Sequence, residues 1–307
     1  MIKTLTVINY LGDQLTINLA NPFDVGMAIT EITGLGPGNA DIITTDNATM
    51  DGAVYNSSRL SYRNIVITLK LLGTDFNGQS IEATRHNVYK YFPIKKPLWL
   101  IFESDKRSAM IQGYVESNEP EIFSDWEKTQ ISIICPNPYF ESLMGTTTNF
   151  SGVQPSFEFP FITNVQADVF EMGTQYMEGD IDIYYTGEVE TGVNINMSFK
   201  DHVAPITIYN VITNESIVVD TAKIESRYGE LQLGDKIIIS TSRGAKKANL
   251  LRDNQVYNII NCLDKNLTWF QLQKGDNIFS YSVEGGQEGG LYDLEMNFTN
   301  KILYEGL

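Results

Sequence analysis

The chain has 307 residues, 42% of them apolar and 20% charged, and carries a formal net charge of −16. That length suits about two domains with cores of their own, and the composition excludes a disordered chain. The longest apolar runs are strand-sized, far short of the ~20 residues a membrane helix needs, and the acidic excess makes a poor sequence-independent binder of phosphate backbones.

Residues 1–145 hold 11 basic and 16 acidic side chains, and residues 146–307 hold 11 and 22, so the second half carries most of the excess. Cys135 and Cys262 lie far apart without ligand spacing, which points to two buried thiols and away from a disulfide framework or zinc site. His86 and His202 are the only histidines, and neither belongs to a cluster. No catalytic group, cofactor or metal is expected.

The first residues alternate as a strand would and carry no signal-peptide cleavage pattern. Residues 4–8 and 14–19 predict a hairpin around Gly12-Asp13. Residues 29–33 predict a strand running into Gly34-x-Gly36-x-Gly38. A phosphate cradle would need a helix after the glycines and no Pro37 among them, so these residues read as a conformationally special turn. Residues 40–58 are polar and turn-rich, with Asp46, Asp51 and Tyr55 among them. A loop of that length is unusual unless it is functional or ordered by a partner; it is a candidate arm between subunits, with an exposed mobile loop as an equal alternative.

Ile65, Ile67, Leu69 and Leu71 share one strand face, and residues 75–78 read as a turn. One helix is expected over residues 80–92, with Ile81, Val88 and Phe92 as its apolar stripe, His86 on its polar side and Pro93 ending it. Strands follow over residues 98–102 and 107–116, with Glu119-Pro120-Glu121 as a separator. Ile131 and Ile133 mark a closing strand that Pro136 and Pro138 stop, leaving Tyr139 and Phe140 as an aromatic plug at the start of the next domain.

Residues 144–155 read as a Thr/Gly/Asn/Ser linker. Beyond it, period-two runs such as Val193, Ile195, Met197, Phe199 and Leu294, Met296, Phe298 recur between turn signals, and they predict an all-β sandwich. Trp269 and Tyr281 are candidates for stacking on a sugar ring, with packing in the core or at its rim as the commoner fate for such residues. Acid pairs such as Glu188/Glu190 and Asp180/Asp182 arise readily in so acidic a chain and do not define a glycosidase.

Several stretches, in order, resemble the distal tail (Dit) proteins of long-tailed phages that infect Gram-positive bacteria. They are Ser57-Ser58-Arg59 with Arg63-Asn64-Ile65-Val66, Arg85 ahead of Tyr91-Phe92-Pro93, Gly113-Tyr114-Val115-Glu116-Ser117, Phe123-Ser124, Gln130-Ile131-Ser132-Ile133, and Cys135-Pro136-Asn137-Pro138-Tyr139-Phe140. In the second half, Gly187 to Gly192, Leu233-Gly234-Asp235 and Trp269-Phe270-Gln271-Leu272 with Gly275-Asp276-Asn277 are similar to the family's galectin-like, carbohydrate-module-like sandwich.

The resemblance implies a mostly β fold: a ring-forming belt domain with one helix over residues 1–143, the linker, and a galectin-like sandwich over 156–307. It implies a non-enzymatic structural protein of the virion, made in the bacterial host cytoplasm. Six copies of the belt domain would form a ring between the tail tube protein and the tail-tip hub protein. The sandwich would anchor receptor-binding proteins, and DNA would pass through the lumen without specific binding or any membrane insertion. Gly34, Gly36, Gly38, Asp46, Asp51 and Tyr55 are the expected ring-interface segment, on loop length and not on a family motif. A carbohydrate-binding protein acting through its second domain is the alternative.

Overall fold

The computed structural model describes residues 1–46, 48, 51–72, 78, 80–124, 126–155, 173–177 and 179–307. The fold is mostly β, in two compact units. Met1–Leu143 together with Leu303–Leu307 make the first, and Met144–Ile302 the second. The turn expected over residues 75–78 falls mainly outside the described residues.

The first unit is built from β1 (Ile2–Ile8), β2 (Gln14–Asn18), β3 (Met27–Thr33), β4 (Ala40–Asp46), β5 (Ala53–Leu60), β6 (Arg63–Leu71), helix α1 (Ile81–Tyr91), β7 (Pro97–Ser104), β8 (Ser108–Glu121), β9 (Lys128–Cys135) and β10 (Phe140–Ser142). The main sheet is antiparallel in the order β2-β1-β7-β8-β9-β6-β3. Its inward face follows the period-two pattern, with Leu5 and Val7, Ile65, Ile67 and Leu69, Leu98 and Leu100, and Ile131 and Ile133 all buried. Helix α1 starts on Ser80, whose hydroxyl accepts from the Ala83 N–H. Its Val88 and Phe92 join this core.

β8 runs through Pro120, where the sequence predicts a break. A register shift between Val115 and Ser117 bends it, and past Val115 it pairs with β9 alone. A strand with a free edge tolerates proline there. Phe140 is also placed differently from the expectation. It is fully buried in the first unit's core, edge-on to Phe102 at 6.0 Å, and does not open the second domain.

The second unit comprises β11 (Thr146–Asn149), β12 (Ser151–Pro155), β13 (Gly173–Met177), β14 (Asp180–Asp182), β15 (Thr191–Gly192), β16 (Asn194–Phe199), β17 (Ile206–Asn210), β18 (Ser216–Val219), helix α2 (Thr221–Tyr228), β19 (Lys236–Ser240), β20 (Lys247–Arg252), β21 (Gln255–Asn258), β22 (Gln271–Leu272), β23 (Ile278–Val283) and β24 (Leu294–Asn300). A six-stranded sheet, β11-β24-β16-β19-β20-β21, and a four-stranded sheet, β14-β23-β17-β18, share one hydrophobic core. Rings of Phe150, Phe298, Phe279 and Phe270 meet edge-to-face in succession at 4.9–5.3 Å through that core.

Two features of the second unit depart from the sequence reading. Residues 146–149, expected as linker, pair with β24 as a strand, because threonine suits a pleated edge as well as a turn. Helix α2 was not anticipated. It is eight residues long, too short for a stripe, and is set by its cap: Asp220 accepts from the Lys223 N–H and pairs with the Lys223 ammonium at 2.7 Å. That pairing holds the Asp220 carboxyl below its ordinary range.

The final strand, β25 (Leu303–Tyr304), pairs with β10 of the first unit, Phe140 opposite Tyr304 and Glu141 opposite Leu303. The sequence reading placed these residues in the sandwich.

Candidate assembly surface: the hairpin arm and its root

Residues 40–58, read from the sequence as a long loop, form most of a β-hairpin. β4 and β5 pair from Ala40–Leu60 to Asp46–Ala53, with a register shift between Ile43 and Thr44. Neither strand buries a face, and only Leu60 is as much as half-buried. The apolar/polar alternation that flags a half-buried strand is therefore absent. The β-branched and aromatic residues that make the strands possible, Ile42, Ile43, Val54 and Tyr55, remain. Ile42 is 65% exposed and Tyr55 62%. An ordered hairpin with four exposed apolar side chains is unusual on a surface with nothing to meet.

All six residues expected at an interface lie on this arm or at its root. Asp46 closes β4 opposite Ala53, Asp51 is in the connection, and the Tyr55 hydroxyl shares a hydrogen bond with Ser58 Oγ at 2.9 Å. Gly34, Gly36 and Gly38 form the turn from β3 into the arm. They are not equivalent. Gly34 has φ +83°, and a Cβ there would lie 2.1 Å from the Asn64 carbonyl oxygen, whereas a Cβ on Gly36 would meet nothing within 4 Å. Only the first position requires glycine.

Arg63 holds this turn, a role the sequence reading did not assign. It begins β6 on the same face as Ile65, Ile67 and Leu69, so its side chain points inward and is only 5% exposed. The guanidinium Nε donates to the Pro138 carbonyl at 2.7 Å, Nη1 to those of Gly34 at 2.6 Å and of Gly36, and Nη2 to that of Glu305 at 2.6 Å. Its carbon lies 4.7 Å from the centre of the Phe140 ring. Among the described residues no carboxylate pairs with it; backbone dipoles and the ring face carry the charge. Burial lowers the Arg63 pKa from its ordinary value and pushes the neighbouring Cys135 thiol up to about 12, with the Arg63 charge opposing the latter. A charged residue in phase with an inward apolar stripe is the signal that could have marked Arg63 in advance.

In the sandwich, the two residues proposed for glycan stacking are separated by their burial. Tyr281 is 8% exposed, packs edge-on to Phe150 at 5.3 Å, and has a buried hydroxyl with no hydrogen-bond partner among the described residues. Burial raises its pKa to about 12. Its ring faces the core and offers no surface to a sugar. Trp269 is half-buried, with the Lys246 ammonium 5.6 Å from its ring centre. Glu190, one of the acid pairs, forms an ion pair with Arg243, and Asp182 accepts from the Asn277 N–H at 3.2 Å. Among the described residues no group of three or more His, Cys, Asp or Glu is placed to hold a metal ion.

No protein-family model matches the chain, and no curated protein matches it. Solved structures do. The crystal structure of the Dit protein of phage SPP1, described as a paradigm of the hub adsorption apparatus in phages infecting Gram-positive bacteria, superposes with a TM-score of 0.64 at 13% identity. That match covers 98% of this chain and 100% of that one. The phage P2 baseplate in its activated conformation with Ca matches with a TM-score of 0.48 at 12% identity, covering 98% of each chain. Over nearly its whole length, the chain therefore has the fold of the SPP1 Dit protein.

Proposed function

We propose that this protein is a structural component of a phage tail tip, in which six copies of the first unit close a ring joining the tail tube to the tail-tip hub. The second unit then anchors receptor-binding proteins, and DNA crosses the lumen without being held. The observation that carries this reading is the likeness to the SPP1 Dit fold, which spans both units and leaves no part of that chain unmatched. The chemistry of the surface agrees with assembly. Sheet edges at β2 and β3 lie at opposite ends of the strand order, as a head-to-tail ring requires. The arm and the fully exposed Phe123 offer apolar surface to a neighbour. No bond is made or broken in this role, and the net charge of −16 suits a conduit for DNA.

The test is the mass of the full chain in solution, by sedimentation or native mass spectrometry, over a wide concentration range. The expected species is a hexamer in equilibrium with smaller forms. A strict monomer at every concentration, also in the presence of a tail-tube protein, would sink the proposal.

A further inference from the structure

We infer that Arg63 and residues 303–307 form a clasp that fixes the root of the hairpin arm, so that the arm's setting depends on a segment 242 residues downstream of Arg63. The arm is attached to its unit at two points, the Gly34–Asn39 turn and the Ser61–Arg63 connection. Both meet the C-terminal segment. The Leu307 N–H donates to the Leu35 carbonyl at 3.0 Å, the Glu305 carbonyl accepts from Arg63 Nη2, and a Cβ on Gly306 would lie 3.1 Å from Leu35 O, Pro37 N and Gly36 C. Arg107 adds a second hold, donating to the Gly306 carbonyl at 3.3 Å with its guanidinium 4.6 Å from the Tyr304 ring centre. On the other side, Arg63 binds the carbonyls of Gly34 and Gly36, and the Ser61 N–H donates to the Asn39 carbonyl at 3.4 Å.

One guanidinium thus ties the arm's entry, the Pro138 exit and the C-terminal segment. A planar fork with five donors can serve four carbonyls in different directions, which a lysine ammonium cannot. Residues 303–307 are synthesised only after the whole second unit, so a nascent first unit presents its arm on an unclasped root. The clasp makes the set arm depend on residues made after the second unit. The consequence for ring formation rests on the function proposed above; the clasp itself does not.

Hydrogen exchange read by mass spectrometry on the full chain tests it, comparing the wild type with Arg63→Lys, Gly306→Val and a truncation after Ile302. Exchange at the Ser61 amide, whose N–H closes the root on the Asn39 carbonyl, should rise about tenfold or more in each variant, with β9 and the β16–β24 pair unchanged. Gly306→Val leaves Arg63 in place and keeps the test decisive if the truncated chain fails to fold. Unchanged exchange at the root, or an even rise across the whole first unit, overturns the clasp. Sedimentation of the same samples separates the two claims. Loss of assembly in both Arg63→Lys and Gly306→Val, with the wild type assembling, extends the clasp to the ring, whereas a wild type that never assembles removes the ring and leaves the exchange result to decide the clasp.

Discussion

Replacing Gly34 by alanine removes no contact and adds one carbon, yet it should be among the most damaging substitutions in the first unit. Its φ of +83° is a left-handed conformation that costs an L-residue roughly 1–2 kcal/mol. The new Cβ would lie 2.1 Å from the Asn64 carbonyl oxygen and 3.2 Å from the Ile65 Cα. Both belong to backbone in β6, so relief requires moving a strand paired on both sides, at a further cost of about 1–3 kcal/mol. The combined loss of about 2–5 kcal/mol, at roughly 1.5–2 kcal/mol/M in urea, lowers the midpoint by about 1–3 M. Trp99 and Trp126 lie in the first unit and Trp269 in the second, so fluorescence in a Trp269→Phe background follows the first unit alone. Gly36→Ala is the control: with no atom within 4 Å of its added Cβ and no positive φ, it should stay within about 0.5 kcal/mol of the parent. Equal midpoints for the two variants would refute the account of this turn.

Other outcomes follow from single residues. Cys135, fully buried with its pKa near 12, should resist thiol reagents at pH 8 in the native protein and react within the mixing time once urea unfolds the first unit. Tyr281→Phe removes a buried hydroxyl that has no partner among the described residues, so it should leave the second unit as stable or raise its stability by up to about 1 kcal/mol; a clear loss would mean the hydroxyl is bonded. Asp220→Ala should cost the second unit about 1 kcal/mol near neutral pH by uncapping α2. Because the Asp220 carboxyl is held below its ordinary 3.8, its contribution is complete above that value and fades as the pH falls below it. The gap between variant and parent should therefore narrow in acid, and a gap that does not change between neutral pH and strong acid would argue against the Asp220–Lys223 ion pair.

What could be read in advance was whatever buries one face of a strand. The inward residues of β6, β9 and β16 show their period in the sequence because solvent and core impose it. The arm did not, since strands exposed on both faces carry no such period, and its threonines and asparagines look like loop. The return of Leu303–Leu307 was also illegible: two strand residues and a few backbone hydrogen bonds leave no pattern, and their partners are remote in sequence. Helix α2 depends on a cap and eight residues, below the length at which a stripe emerges. At the candidate site, Gly34, Gly36 and Gly38 stood out as a group, but only the fold separates the one that must be glycine from the two that need not be. Arg63 was visible as a sequence match without a role; its phase with Ile65 and Ile67 was the unused clue.

The central claim of the proposed function is that copies of the first unit associate into a closed ring. Electron microscopy of the purified full chain at high concentration tests it most directly. The account predicts annular particles whose end-on class averages have sixfold symmetry and an open centre, and which vanish when Ile43 and Tyr55 on the arm are both changed to glutamate. Compact single molecules in every preparation, or open filaments in place of rings, would contradict it.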